Sequence, residues 1–285
     1  VMTTTEKRVQ PADSGTTTAK VRHWLVRPIG ASTTAAVIFL VIWQLADALG
    51  DRLPGPIAVT AAAILEVQEG EFIDNFAISM QRFGIGIGLS IVIGTVLGLA
   101  IGSSRLLNDV LGDLNLVGLA IPAVIWALLC TMWFGFGNTA PIVTIVLSAV
   151  PFIAVNVAAG ARSIPPSLQH MSGSFAVPFN RRLRHVMLPA VSGYLFAGIR
   201  FAVMSGWNGL LLSEWFGASD GVGHRARYWY DANRMPGFLA WIAFFILFMV
   251  LTDRLLLERI SRKAFRWRDG DADAKSAEPA KNLAG

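Results

Sequence analysis

The chain has 285 residues, 54% of them hydrophobic and 15% charged, with a formal net charge of +5, nine tryptophans and one cysteine. A composition this apolar belongs in a bilayer rather than in water. Its basic residues flank apolar runs instead of forming a stripe, which excludes a nucleic-acid surface, and the lone Cys130 excludes a disulfide framework or a cysteine-based zinc site.

In chain order, residues 1–28 read as a largely disordered cytoplasmic tail, Thr-rich and basic, without the apolar core or small-residue cleavage site of a signal peptide. Six stretches near 29–49, 83–101, 111–132, 141–159, 190–215 and 237–257 reach the roughly 20 apolar residues that a span requires. An all-α membrane protein with six transmembrane helices follows, its membrane domain covering 29–268. Residues 269–285 contain no aromatic or β-branched residue and read as a second disordered cytoplasmic tail. With the N-terminus inside, seventeen Lys and Arg fall on inside segments and five outside, so both termini are expected in the cytoplasm of a cell whose inner membrane holds the chain.

Between the first two spans, Pro56 starts a predicted short helix whose apolar face is Ala58, Ala61, Ala62 and Leu65, suited to lying at the outer interface. The second span carries glycines at 84, 86, 88, 94, 98 and 102, whose four-residue pairs let another helix approach closely or, alternatively, touch substrate. Pro122, Pro141 and Pro151 are positions where spans kink or end.

Between the fourth and fifth spans the chain interrupts itself with a polar segment, 163–188. Ser163 and Pro165 or Pro166 offer a helix start, and Leu168, Met171 and Phe175 then fall at i, i+3 and i+7 on one side. Pro178 ends that helix, and a second short turn bearing Arg181 and Arg182 leads to Pro189 in the first turn of the fifth span. A plain loop needs only its basic residues near lipid headgroups; a stripe of Leu, Met and Phe is a docking surface.

The segment resembles the cytoplasmic "EAA" loop of ABC-importer permeases. Anchored on Val186, Leu188 and Pro189, the loop's glycine position falls on Ala176 and its Glu-Ala-Ala positions on His170, Met171 and Ser172, so the spacing is kept while the acid and the glycine are not. The resemblance extends over about residues 30–268 through "LPGPIAV" (53–59), "SMQR" (79–82), "IPAVIWALLCTMWFGFG" (121–137), "LPAVSGYLFAGIRFAV" (188–203), "SEWFGASDGVG" (213–223) and "FRWR" (265–268). Together these are similar to the nitrate, sulfonate and taurine branch of the permeases. The resemblance implies a type I importer fold, a second copy of the chain, two ATP-binding subunits holding ATP and Mg, and an external solute-binding protein. It also implies that Leu168, His170, Met171, Ser172, Phe175, Ala176, Arg181 and Arg182 meet the ATPase.

No GxxxxGK[ST] phosphate loop, HExxH motif or nucleophile elbow occurs, and the four histidines are scattered, so no catalytic or metal-binding residue is expected and ATP hydrolysis falls to a partner. Arg200, within the fifth span near mid-depth, either draws an anionic substrate or holds a structural partner. Ser205, Trp207 and Asn208 on the same span, and Asn156 on the fourth, are candidates for the pathway or for bonds between helices. Two rivals to the permease reading are an ion-gradient-driven transporter, which needs inverted repeats and intramembrane carboxylates, and a membrane enzyme, which needs titratable groups converging at one depth.

Overall fold

A computed structural model describes residues 28–50, 54–165, 167, 171, 174–175 and 177–257, and all of the secondary structure among them is helical. The chain divides into two compact units, residues 1–57 and 58–285. In the first, α1 (Pro28–Leu49) occupies the first expected span, and the turn beyond it is closed by the Trp43 indole N–H donating to the Pro54 carbonyl at 3.1 Å.

In the second unit, α2 (Pro56–Gln68) and α3 (Glu71–Ser103) are separated by Gly70, whose φ of 82° turns the chain. Helix α3 runs for 33 residues, well beyond the expected 83–101. Its first turn carries Glu71 and Asp74, which favour a helix N-terminus. The expected span at 111–132 is instead two helices, α4 (Arg105–Ala120) and α5 (Ala123–Phe134), bent by 98°. Pro122 has no N–H to give and holds Ile121 in an extended conformation (ψ 119°), so the helix ends there. Next come α6 (Thr139–Arg162), α7 (Asn180–Gly217), α8 (Val222–Asp231) and α9 (Met235–Leu251), the last continued by a π-helical turn, Thr252–Leu257.

Among the described residues, α3, α6, α7 and α9 are long and apolar enough to cross a membrane, and the bent α4–α5 pair makes a possible fifth span. Helix α7 differs most from expectation. Rather than a short turn followed by a new helix at Leu188, one 38-residue helix runs through Pro189. A π-helical turn at Leu183–Met187 immediately precedes the proline and widens the ladder where its ring and missing N–H disturb it.

Helix α6 is the centre of the unit, packed between α3 and α7, and small residues set both seams. A Cβ on Gly86 or Gly94 would lie 2.7 Å from Ile145 or Ile153, and one on Gly98 would lie 2.6 Å from the Ala154 carbonyl oxygen. Gly98 and Gly102, a pair expected to admit a neighbour, therefore do so against α6, whereas Gly84 and Gly88 meet nothing within 4 Å. Gly98→Leu is expected to separate this seam and cost about 3 kcal/mol, because backbone rather than a pliable side chain stands in the way. Gly88→Leu, on the open face, should cost under about 0.5 kcal/mol. Equal thermal stability of the two variants in detergent would contradict the packing described.

Pro151 lies inside α6 without ending it. Nearby carbonyls gain side-chain donors from adjacent helices: Ser205 Oγ donates to the Ser148 oxygen at 3.0 Å and Asn115 Nδ2 to the Pro151 oxygen at 3.2 Å.

Candidate functional site

Three of the five sequence-predicted pathway residues, Asn156, Ser205 and Asn208, lie on α6 and α7 near their seam. Tyr194, Phe201 and Asn208 recur every seven residues on α7 and are exposed, and Phe201 stacks near Phe152 of α6 at 6.5 Å. Asn156, half-buried on α6, donates to the Phe152 carbonyl at 2.8 Å; Asn208 donates to the Met204 carbonyl at 3.2 Å. Ser205 is half-buried and bonded across the seam. Asn208 lies about 14 Å along the helix from Gly217, within a helix long and apolar enough to cross a membrane. An exposed amide within a span is costly in lipid and is better placed against water or another protein surface.

Trp207 and Arg200 sit elsewhere. Trp207 is 1% exposed, stacked on Phe83 at 4.0 Å and edge-on to Phe245 and Phe248. Arg200 forms a two-bond pair with Asp253, both bonds 2.9 Å, joining α7 to the π-helical turn after α9. It lies about 26 Å along α7 from Gly217. Arg200 and Glu214, on the same helix, each have their own partner.

Glu214 belongs to a buried polar cluster that sequence reasoning did not assemble, although "SMQR" and "SEWFGASDGVG" supply most of it. Its carboxylate is 0% exposed and Arg82 2%. Arg82 donates through Nη1 to Glu214 at 2.9 Å and to the Asp220 carbonyl at 3.0 Å, and through Nη2 to the Asp220 carboxylate. Its Nε and Nη2 also reach Asn138 Oδ1, at 2.8 and 2.6 Å. Glu214 accepts from Ser79 Oγ at 2.8 Å and from the Gly223 N–H at 2.9 Å, while Ser79 accepts from the Val222 N–H at 2.9 Å. Asn75 accepts from the Gly221 N–H at 2.9 Å, and Gly221 has a φ of 100° that favours glycine. The first N–H groups of α8 are thus taken up by Asn75, Ser79 and a carboxylate neutralised by Arg82, a favourable end for a helix. Four separate segments are tied to one guanidinium, whose planar fork suits such a hub better than an ammonium.

A second buried acid lies on α2. The expected face of Ala58, Ala61, Ala62 and Leu65 is mainly exposed, and Val59 and Glu66 turn inward instead. Glu66 is drawn in because donors surround it: Trp229 Nε1 at 2.7 Å, Trp241 Nε1 at 2.9 Å and Arg225 at 3.1 and 3.3 Å.

Of the predicted docking residues, Met171 is 53% and Phe175 77% exposed, and the Phe175 N–H donates to the Met171 carbonyl at 3.1 Å in a helical bond. Arg181 is exposed; Arg182 is half-buried beside Gly102, Ala161 and Met187. Leu168, His170, Ser172 and Ala176 lie outside the described residues.

Long apolar helices, one of them carrying an exposed amide, make this a membrane protein. The chain belongs to the family of binding-protein-dependent transport system inner membrane components, matched over residues 90–263. It is similar to the nitrate import permease protein NrtB of Synechococcus elongatus, 29% identical over 228 residues covering 76% of this chain and 82% of that one. Similarity extends to the putative aliphatic sulfonates transport permease protein SsuC of Bacillus subtilis, 26% identical over 81% of this chain and 85% of the relative. Among solved structures, an inward-facing form of the MetNI methionine ABC transporter shares the fold, with a TM-score of 0.59 at 18% identity over 70% of this chain and 98% of that one. The ion-gradient alternative gains no support: Glu214 and Asp253, two of the acids on or next to described spans, are both paired with arginine.

Proposed function

We propose that this permease works as a pair of identical chains that import a small anionic solute of the nitrate or sulfonate kind. The α6–α7 face bearing Asn156, Ser205 and Asn208 forms the wall of the pathway, with the second copy supplying the opposite wall. Two separate ATP-hydrolysing subunits, with their ATP and Mg, engage the 163–188 segment, and an external binding protein delivers the solute. The names of similar proteins support the solute class. The excess of basic residues supports cytoplasmic termini and places 163–188 on the cytoplasmic side, leaving the Arg82 cluster at the external end.

The observation that carries the pathway reading is Asn208, a polar side chain left exposed on a span in a family of transport components. Arg200 enters this reading as a brace between α7 and the last span, since an incoming anion competes with Asp253 for it. In liposomes containing the chain with its ATPase and binding protein, uptake of nitrate or an alkyl sulfonate should require ATP and all three components. Uptake driven by an ion gradient through this chain alone would overturn the proposal.

A further inference from the structure

Where the α8–α9 turn passes α2 lies a cleft of about 470 Å³, within the size range of small-ligand sites. Ala62, Leu65, Trp229, Pro236 and Gly237 make its walls, and Glu66, Glu69, Asn233 and Arg234 its polar groups. The four donors to Glu66 already occupy both of its oxygens, and Arg225 balances its charge. Two charges remain. Neither Glu69 nor Arg234 has a salt bridge among the described residues, so one anion and one cation stand unpaired at a single cleft. The Arg234 guanidinium lies 6.0 Å from the centre of the Trp229 ring, a stacking that orients it while leaving its N–H edges available.

The cleft also lies where an apolar span begins. Helix α9 begins its apolar run at Met235, immediately after Arg234, and α2 presents Ile64 and Leu65, each more than half exposed, beside the opening. An amphipathic helix with an exposed apolar face lies in the bilayer interface, where an aromatic ring is also favoured.

We infer that this cleft binds the headgroup of a zwitterionic phospholipid, phosphatidylethanolamine, with the phosphate on Arg234, the ammonium on Glu69 and the upper acyl chain along Leu65 and Ala62. A guanidinium takes a phosphate through paired charge-assisted bonds, and a carboxylate accepts from an ammonium. An anionic headgroup such as phosphatidylglycerol satisfies Arg234 and leaves Glu69 facing net negative charge.

The full-length chain, purified in mixed micelles with equal dioleoyl phosphatidylethanolamine and dioleoyl phosphatidylglycerol, tests this by native mass spectrometry and by lipid-dependent melting. Phosphatidylethanolamine should be retained about tenfold over phosphatidylglycerol, the value of one charge-assisted contact. Glu69→Gln and Arg234→Gln should each remove most of that preference and the melting shift that accompanies it. Both residues are exposed, so the variants should fold, and their melting without added phosphatidylethanolamine, matching the parent, verifies this. Equal retention of the two lipids, or variants that retain phosphatidylethanolamine like the parent, would overturn the assignment. So would soluble phosphoethanolamine producing the full shift, which makes the cleft a solute site, or cross-links from residues 69 and 234 to the binding protein that persist at saturating lipid.

Discussion

Replacing Arg82 with methionine is expected to destabilise the protein by about 3–5 kcal/mol, the cost of leaving a buried carboxylate without its counter-charge. The magnitude rests on geometry: Glu214 is 0% exposed, and its remaining donors, Ser79 and the Gly223 N–H, are neutral. Removing the acid as well reverses much of the damage, because an amide at 214 still accepts the Gly223 N–H and no longer needs a cation. The Arg82→Met/Glu214→Gln double variant should therefore be more stable than Arg82→Met alone, with a coupling of about 2 kcal/mol. Arg82→Lys should fall between, since one ammonium cannot span Asn138, Glu214 and Asp220 together. Equilibrium unfolding in detergent provides the values; an Arg82→Met variant within about 0.5 kcal/mol of the parent would show that the cluster is not the tie described.

Met171→Asp combined with Phe175→Asp is expected to abolish association with the ATPase while leaving membrane insertion and thermal stability unchanged. Both side chains are more than half exposed, so little folding energy depends on them. Each would contribute about 1.5–3 kcal/mol when buried by a partner. Losing both and adding two charges to a dry interface therefore weakens binding by at least about a hundredfold. Co-purification with the ATPase and nucleotide-dependent uptake should disappear together. A variant pair that still recovers a full complement of ATPase removes the docking role from these residues.

Hydropathy made the spans at 141–159 and 237–257 readable, because burying or exposing some twenty residues to lipid is a property of a stretch and needs no knowledge of its neighbours. Local chemistry was equally readable at Pro56, which starts α2, and at Gly98 and Gly102, which meet α6. What the sequence withheld were partners distant along the chain. Arg82 and Glu214 lie in separate motifs 132 positions apart, and Arg82 looks from its neighbours like part of an external loop. Glu66 shows the same limit: the alanines and Leu65 form the obvious apolar face of α2, yet two tryptophans and an arginine from α8 and α9 draw the acid inward. For Arg200, one residue type fitted two roles, and only the position of Asp253 separates them. Helix α7 was misdivided because prolines stop most helices, and the π-helical turn that lets this one continue has no signature in composition.

The continuity of α7 has a mechanical consequence. At about 1.5 Å per residue its 38 residues make a rod about 57 Å long, nearly twice the thickness of the apolar layer. Tilting such a rod by about 5° about its midpoint carries each end roughly 2.5 Å in opposite directions, the scale on which packed interfaces exchange one arrangement for another. One end carries Glu214, clamped to α3 and to the start of α8; the other carries Arg181 and Arg182. No loop intervenes to absorb the motion, so a push at the Arg181 end arrives at the Glu214 cluster as displacement, with the π-helical turn at Leu183–Met187 its most compliant point.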